Sequence, residues 1–558
     1  MTLRRLSVVA VLFLGTAAAS PTPVGAVSPD TKVSVGSSPT PYIPNTSNEP
    51  AVAMDAHQPA ILAAGSNDLV DSAPCNGSSC DLTPDIGISG IYFSLDSGTT
   101  WVQPTYTGLT AQSGTTHVGP IHTLPGYFEH GMSSHGDPAL AFGPRRGSNG
   151  FSWGNGSRLY YANLAFNLST APGFNGNSAV AVSRTDNVQA AAAGVQSAWL
   201  DPVIVSRQNS SLLSDKEDIW ADNAATSRFF GNVYVCNVAF RSIGGAPEPV
   251  MVAASSDGGD TWRQRQITAA TDNNQSGGRQ GCAVRTDSAG AVYVVWEGTD
   301  VHTRQSVMFM ARSVDGGTNF SKPKVIANVH DVGAFDPVSG RIVFDGFAGT
   351  RTDSFPSFAI ANGAPLGLDA TNTMIVAWAN GPVNEEQALI RSSADGGVTW
   401  SAPVNAAEPG DRADNPAVAI SPDGTDIYLV YSAYLTNFQT TTATPRLMQG
   451  VTRHADVGPG GAVATFTTLH RGAIGDARAT SRTLNRESIY DYQYAAADRD
   501  YGVAVWMDVR NAQACPAVNT YRQSLIDGTP IAAPSPATDC PATFGNLDIY
   551  SGSFLDPT

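Results

Sequence analysis

Ser255-Ser256-Asp257-Gly258-Gly259-Asp260-Thr261-Trp262 decides the fold, because the chain repeats it. The pattern is Ser-x-Asp-x-Gly-x-Thr-Trp. Ser94–Trp101 and Ser393–Trp400 match it throughout, and Ser313–Phe320 keeps Ser, Asp and Gly but ends in Asn-Phe. Asp and Ser side chains can bond turn amides, and Gly supplies a backbone angle that other residues resist. The closing aromatic residue gives the next strand a large apolar anchor. Each copy follows a short apolar run, so each reads as the turn of a β-hairpin.

Around these turns the chain falls into seven repeats with one pattern. The inner strands read PAVAM (50–54), PALAF (138–142), DIWAD (218–222), GCAVR (281–285), PSFAI (356–360), PAVAI (416–420) and DYQYA (491–495). Each is followed by a β-branched or aromatic run such as AVYVVWEG or GVAVWMD, then by a third apolar strand. Short runs of this kind between Gly, Asp and Asn turns suit four-stranded antiparallel blades. No window shows a helical period. The second repeat (SRTDNVQAAAAG) and the sixth (TRHADVGPGG) lack the turn, and the seventh ends at LDIYSGSF without an outermost strand. Thr31–Gly36 is expected to supply that strand, which would close the ring and remove exposed edges. The repetition overrides the several domains that 558 residues would otherwise suggest. The expectation is an all-β, seven-bladed β-propeller, with six blades as the alternative count, in one domain over residues 27–558.

Residues 1–26 read as a signal peptide: Arg4 and Arg5, an apolar stretch from Leu6 to Gly15, and a small-residue site at Val24-Gly25-Ala26. Cleavage there removes two Arg and no acid, taking the net charge from −16 to −18. Such acidity argues against nucleic-acid and anionic-membrane partners. A secreted monomer that does not insert into membranes is expected. The six Cys contain no Cys-x-x-Cys pair and are read as three disulfides, Cys75–Cys80, Cys236–Cys282 and Cys515–Cys540, rather than as metal ligands.

The repeated turns are the Asp box, and the chain resembles the Asp-box (BNR-repeat) β-propellers of the sialidase-like superfamily. The resemblance covers most of the mature chain for fold and implies a glycan or glycoconjugate partner. Sialidases carry Arg-Ile-Pro ahead of the first repeat; here Tyr42-Ile43-Pro44 stands there, so the first clamp Arg of that family is missing.

Aligning the repeats places Glu49, Asp137, Glu217, Gln280, Phe355, Asn415 and Tyr490 at one position, just before the inner strands. Together they would line one mouth of the central channel, on the face opposite the Asp boxes. The resemblance implies Tyr490 as a nucleophile, since a sialidase Tyr stands at that place. A Tyr needs a carboxylate base to act near neutral pH. Glu49 is the first candidate for that base, Glu217 the second, and Asp137 joins them as a central carboxyl. Arg279, Arg351, Arg412 and Arg486, in the loops entering blades four to seven, would hold an anionic substrate in forked geometry. His135 reaches the ring beside Asp137 (HGDP).

The other His of that loop, His117, His122 and His130, have spacings that suit no standard metal signature, and no metal or cofactor is assigned. Two functions follow. One is a glycan-directed glycoside hydrolase, exo-sialidase-like. The other is a non-catalytic propeller that binds glycans or proteins. The ring mixes carboxylates, amides and aromatics instead of repeating one pocket, which favours the enzyme.

Overall fold

A computed structural model describes residues 28–36, 45–74, 82–206, 209–241, 246–270, 279–480 and 484–557. Seven antiparallel sheets follow one another around the ring, as the repeats require. Their innermost strands are Ser47–Met54, Ala139–Gly147, Leu212–Ala221, Arg279–Thr286, Ser357–Ile360, Arg412–Ile420 and Tyr494–Ala497. The second strands are the most apolar. Val233–Arg241 and Val292–Thr299, for example, are almost wholly buried, because each packs against both neighbouring blades. In the seventh blade the order from inside outward is Tyr494–Ala497, Tyr501–Asp508, Asp548–Leu555 and the two residues Thr31–Lys32, which pair with Ser551 and Tyr550.

The turns work as their residues suggest. Ser255 Oγ donates to Asp257 Oδ1 (2.7 Å) and accepts from the Gly259 amide (2.9 Å), while Asp257 accepts from the Thr261 amide and hydroxyl. Gly259 has φ of 87°, and a Cβ there would lie 2.9 Å from Arg184 Cδ of the preceding blade. Gly is thus required both by the backbone angle and by the close approach of blade on blade. In the second blade, where the turn is lost, Asn187 caps the short helix Val188–Ala192 instead.

One expectation fails. The last insertion holds an α-helix, Pro516–Ile526, although no helical period is legible in it. Its buried face includes Arg522, which donates to the Leu484 and Arg478 carbonyls, so the inward stripe is partly charged and escapes a hydrophobic pattern. The bond Cys515–Cys540 closes this insertion, and Cys236–Cys282 joins the third blade to the fourth. Cys75 and Cys80 lie outside the described residues, as does Tyr42-Ile43-Pro44. Among the described residues no helix is long and apolar enough to cross a membrane.

Candidate active site at the upper mouth of the channel

Where the chain enters an inner strand, it bulges. Glu49, Asp137, Lys216 and Asn415 all have positive φ, between 49° and 55°, and Gly281 has 60°. The strand registers shift across Asn48/Ala51, Asp215/Asp218, Gln280/Ala283 and Asp414/Ala417. Such a bulge re-aims one side chain into the channel. Matching the pairing on both sides puts Glu49, Asp137, Lys216, Gly281, Phe355, Asn415 and Tyr492 at the equivalent position. The alignment therefore moves by one residue in the third and fourth blades, from Glu217 and Gln280, and by two in the seventh, from Tyr490. Pro follows this position in blades one, two, five and six and marks it in the sequence; the other three blades lack that marker.

Lys216 is the group the corrected ring brings in. Its side chain is 6% exposed, and its ammonium pairs with Asp491 and, at 3.5 Å, with Glu49 Oε1. The same ammonium lies 5.3 Å from the Phe355 ring centre and 5.1 Å from that of Tyr492. Arg351 completes the cluster from outside, with Nε 2.6 Å from Asp491 Oδ1 and its terminal nitrogen 3.3 Å from Glu49 Oε1. Asn67 donates to Glu49 Oε2 at 2.6 Å, and the Asp491 amide donates to Oε1 at 3.2 Å. Two cations and two carboxylates thus form a plug across the channel axis.

Burial opposes the charge on Lys216, but Asp491, Glu49 and Asp137 outweigh it and raise its pKa. Burial likewise opposes ionisation of Asp491, and Arg351 and Lys216 overcome it, holding that carboxyl far below its usual range. Asp137 shifts the other way: burial and the nearby Glu49 charge push it well up, although Lys216 opposes them. Glu217 is raised too, by burial, and among the described residues no other residue hydrogen-bonds its oxygens.

Above the plug opens a cleft of about 650 Å³, lined by Arg279, Glu297, Asp331, Arg341, Arg351 and Asp353 among others. Below it lie a chamber of about 60 Å³ and then a vestibule of about 360 Å³ reaching the opposite face, lined by both apolar and charged residues. Lys216, Asp353 and Asp491 border both the cleft and the chamber. The repeated turns belong to the far face, where the Ser97 amide bonds the Ala60 carbonyl between the first two strands.

The cleft is strongly polarised. Burial, then repulsion from Asp491, lifts Asp353 to about 6, even though a hydrogen bond from Glu297 lowers it. Glu297 is raised well above its usual value by burial and by the neighbouring Asp353 and Asp331. On the other wall, the Arg351 guanidinium carbon lies 4.7 Å, and that of Arg486 5.7 Å, from the Tyr490 ring centre. Arg341, on the insertion strand Arg341–Val343, joins them: burial and the charges of Arg351 and Arg486 lower its pKa, while Asp491 and Tyr490 oppose them. Two Arg therefore face the Tyr490 ring, and Arg341 lines the same cleft.

The remaining sequence candidates scatter. Arg412 is buried in a forked pair with Glu386 and does not face the cleft (2.8 and 2.6 Å). Arg279 borders the cleft and anchors its amide on Glu248. The Tyr490 carbonyl accepts from Asn415, whereas no hydrogen bond joins its hydroxyl to Glu49 or Glu217 among the described residues. The His135 ring packs 3.9 Å from Phe166, His122 pairs with Asp71 (3.2 Å) and His130 with Asp201 (3.3 Å), so the loop His residues separate.

Sequence reasoning missed Lys216, Arg341, Asp353 and Asp491. A signal for Lys216 existed: the chain has only four Lys, and this one interrupts the acidic run SDKEDIWAD.

No family model matches the chain, and no curated protein does. Solved structures that it resembles include the Hadza microbial sialidase Hz136 (13% identity, 69% of this chain and 63% of that one, TM-score 0.38). The Trypanosoma rangeli sialidase in complex with 2,3-difluorosialic acid matches at 11% identity over 73% of this chain and 55% of that one, TM-score 0.40. The Penicillium chrysogenum α-L-arabinanase complexed with arabinobiose matches at 15% over 73% and 94%, TM-score 0.41. The chain thus spans 55–63% of the length of these two sialidases. These neighbours, two sialidases and an arabinanase, are glycoside hydrolases.

Proposed function

We propose that this protein is a secreted, monomeric glycoside hydrolase acting on a glycan or glycoconjugate at the upper cleft, with no cofactor required. The observation that carries the reading is a pair of carboxyls in one cleft with opposed acidities. Asp353 sits near 6, while Asp491 is held ionised by Arg351 and Lys216. Environments that push two acids apart define an acid and a counter-charge, and glycoside cleavage needs both. In this reading Asp353 protonates the leaving oxygen, and Asp491 stabilises the positive charge that develops on the sugar ring. Arg351 and Arg486 at Tyr490, with Arg341 in the same cleft, hold an anionic group of the substrate, as in a sialidase-like exo-hydrolase. Glu49, Lys216 and Asp137 position this layer.

Tyr490 as nucleophile is the competing assignment within the same reading. It requires Glu49 or Glu217 to come within reach of the phenol when substrate binds. A panel of aryl glycosides, sialosides and arabinofuranosides included, separates the two assignments. Tyr490→Phe abolishes turnover only if the phenol attacks, while Asp353→Asn abolishes it if Asp353 is the acid. A second function, a non-catalytic glycan-binding propeller, is favoured by the full engagement of the Glu49 and Asp491 oxygens. It predicts glycan affinity with no turnover in the parent.

A further inference from the structure

Far from the cleft, the lower end of the sixth blade presents an unusual face. Asp426 pairs with Asp456, and Tyr428 with His454, across the adjacent strands Asp426–Tyr434 and Leu447–Gly458. Residues two apart on a strand share a side, so all four point the same way. They point toward the seventh blade, where Gly502 makes room for the Tyr428 ring: a Cβ there would meet it at 2.2 Å. Asp556, just past the last strand of that blade, is anchored by its amide on the Asp500 carbonyl (3.0 Å).

The carboxylates converge on one imidazole nitrogen. His454 Nε2 lies 3.0 Å from Asp426 Oδ1, 4.0 Å from Asp456 Oδ1 and 4.0 Å from Asp556 Oδ1. The His454 and Asp426 side chains are 3% and 5% exposed. An imidazolium carries one positive charge, and its nitrogen can bond one of these acids well. Three facing carboxylates leave an excess of about two negative charges.

The donor atoms of Asp426, His454 and Asp556 all lie within 4.8 Å of one another. Bonds of roughly 2.0–2.2 Å to a common ion space neighbouring donors by about 3–4 Å. We propose that Asp426, His454 and Asp556 form a structural binding site for a divalent transition metal, with Asp456 placed to supply a further oxygen. Neutral imidazole beside carboxylates suits zinc or manganese and disfavours calcium, which takes oxygen ligands. The ion would neutralise the excess charge and fasten the end of the seventh blade to the sixth, next to the place where the ring closes. This site is independent of the chemistry of the cleft.

The test is calorimetric titration of chelator-stripped full-chain protein with ZnCl2, MnCl2 and CaCl2, alongside the melting temperature. The expected result is one saturable equivalent of zinc or manganese with a higher melting temperature, and weaker or no binding of calcium. Asp556→Asn alters a partly exposed residue near the chain end, so folding survives, and affinity should fall by roughly tenfold or more. Glu129→Gln, an exposed acid elsewhere, should bind as the parent does. Absence of saturable binding in the parent, or unchanged affinity in Asp556→Asn, overturns the proposal.

Discussion

Lys216→Met tests the plug quantitatively. The substitution keeps an unbranched chain one atom shorter and removes the ammonium that Asp491 and Glu49 share. Asp491 and Glu49 side chains are 4% and 1% exposed, and Arg351 alone would then face two buried carboxylates. One buried charge is left uncompensated, which costs about 3–5 kcal/mol. Unfolding entropy of roughly 2.1 cal/mol/K per residue gives about 1.2 kcal/mol/K over 558 residues, so the melting temperature should fall by about 3–4 °C.

The pH dependence identifies the cause. In the parent, the Asp491 carboxyl is depressed, so its contribution is present above the unfolded value and is lost as pH falls through the folded one. Without Lys216, one of the two carboxyls rises and takes up a proton on acidification. The deficit of the variant should therefore shrink between pH 8 and pH 5. Scanning calorimetry at a fixed rate across that range reads both effects. A melting temperature within 1 °C of the parent, or a deficit that does not change with pH, would refute the buried-plug reasoning.

Further expectations concern the scaffold and the cleft. Asp257→Ala removes an acceptor of the Ser255, Asp260 and Thr261 donors and should cost about 1–2 kcal/mol in chemical denaturation, with ligand affinity of the folded protein unchanged because the turn faces away from the cleft. Acid should weaken the related turns: hydrogen bonds from Asn319 and Thr399 hold Asp315 and Asp395 at about 2, so their contribution is full above the unfolded value near 3.8 and is lost as pH falls toward 2. Peptide mapping without reduction should show Cys236 linked to Cys282, and paired Ser substitutions should cost about 4 kcal/mol by loop entropy over a separation of 46 residues. Free thiol at either Cys would contradict that pairing.

The fold was legible because its turns are written locally: Ser255, Asp257, Gly259 and Trp262 each have one mechanical task, and the task recurs. The ring was half legible. Pro50, Pro138, Pro356 and Pro416 mark the residue before them, and Glu49, Asp137, Phe355 and Asn415 were placed correctly. In the third and fourth blades a bulge adds a residue without a Pro to mark it, and a one-residue slip exchanges Lys216 for Glu217. Asp353 and Asp491 were invisible for another reason. Their acidities come from neighbours hundreds of residues away in some cases, Arg351 and Lys216 for Asp491, and no local pattern encodes such a meeting. Arg341 sits on a short two-stranded insertion hairpin whose position at the cleft only the assembled ring defines.

The central claim is that Asp353 is a proton donor opposite an ionised Asp491, and the pH–rate profile of the cleft tests it most directly. For the best aryl glycoside in the panel, kcat/KM should hold below about pH 6 and then fall roughly tenfold per pH unit, because only the protonated acid donates. Asp353→Asn should lower kcat by about 10²–10⁴-fold. A profile flat from pH 5 to pH 8, or turnover that survives Asp353→Asn, would contradict the account.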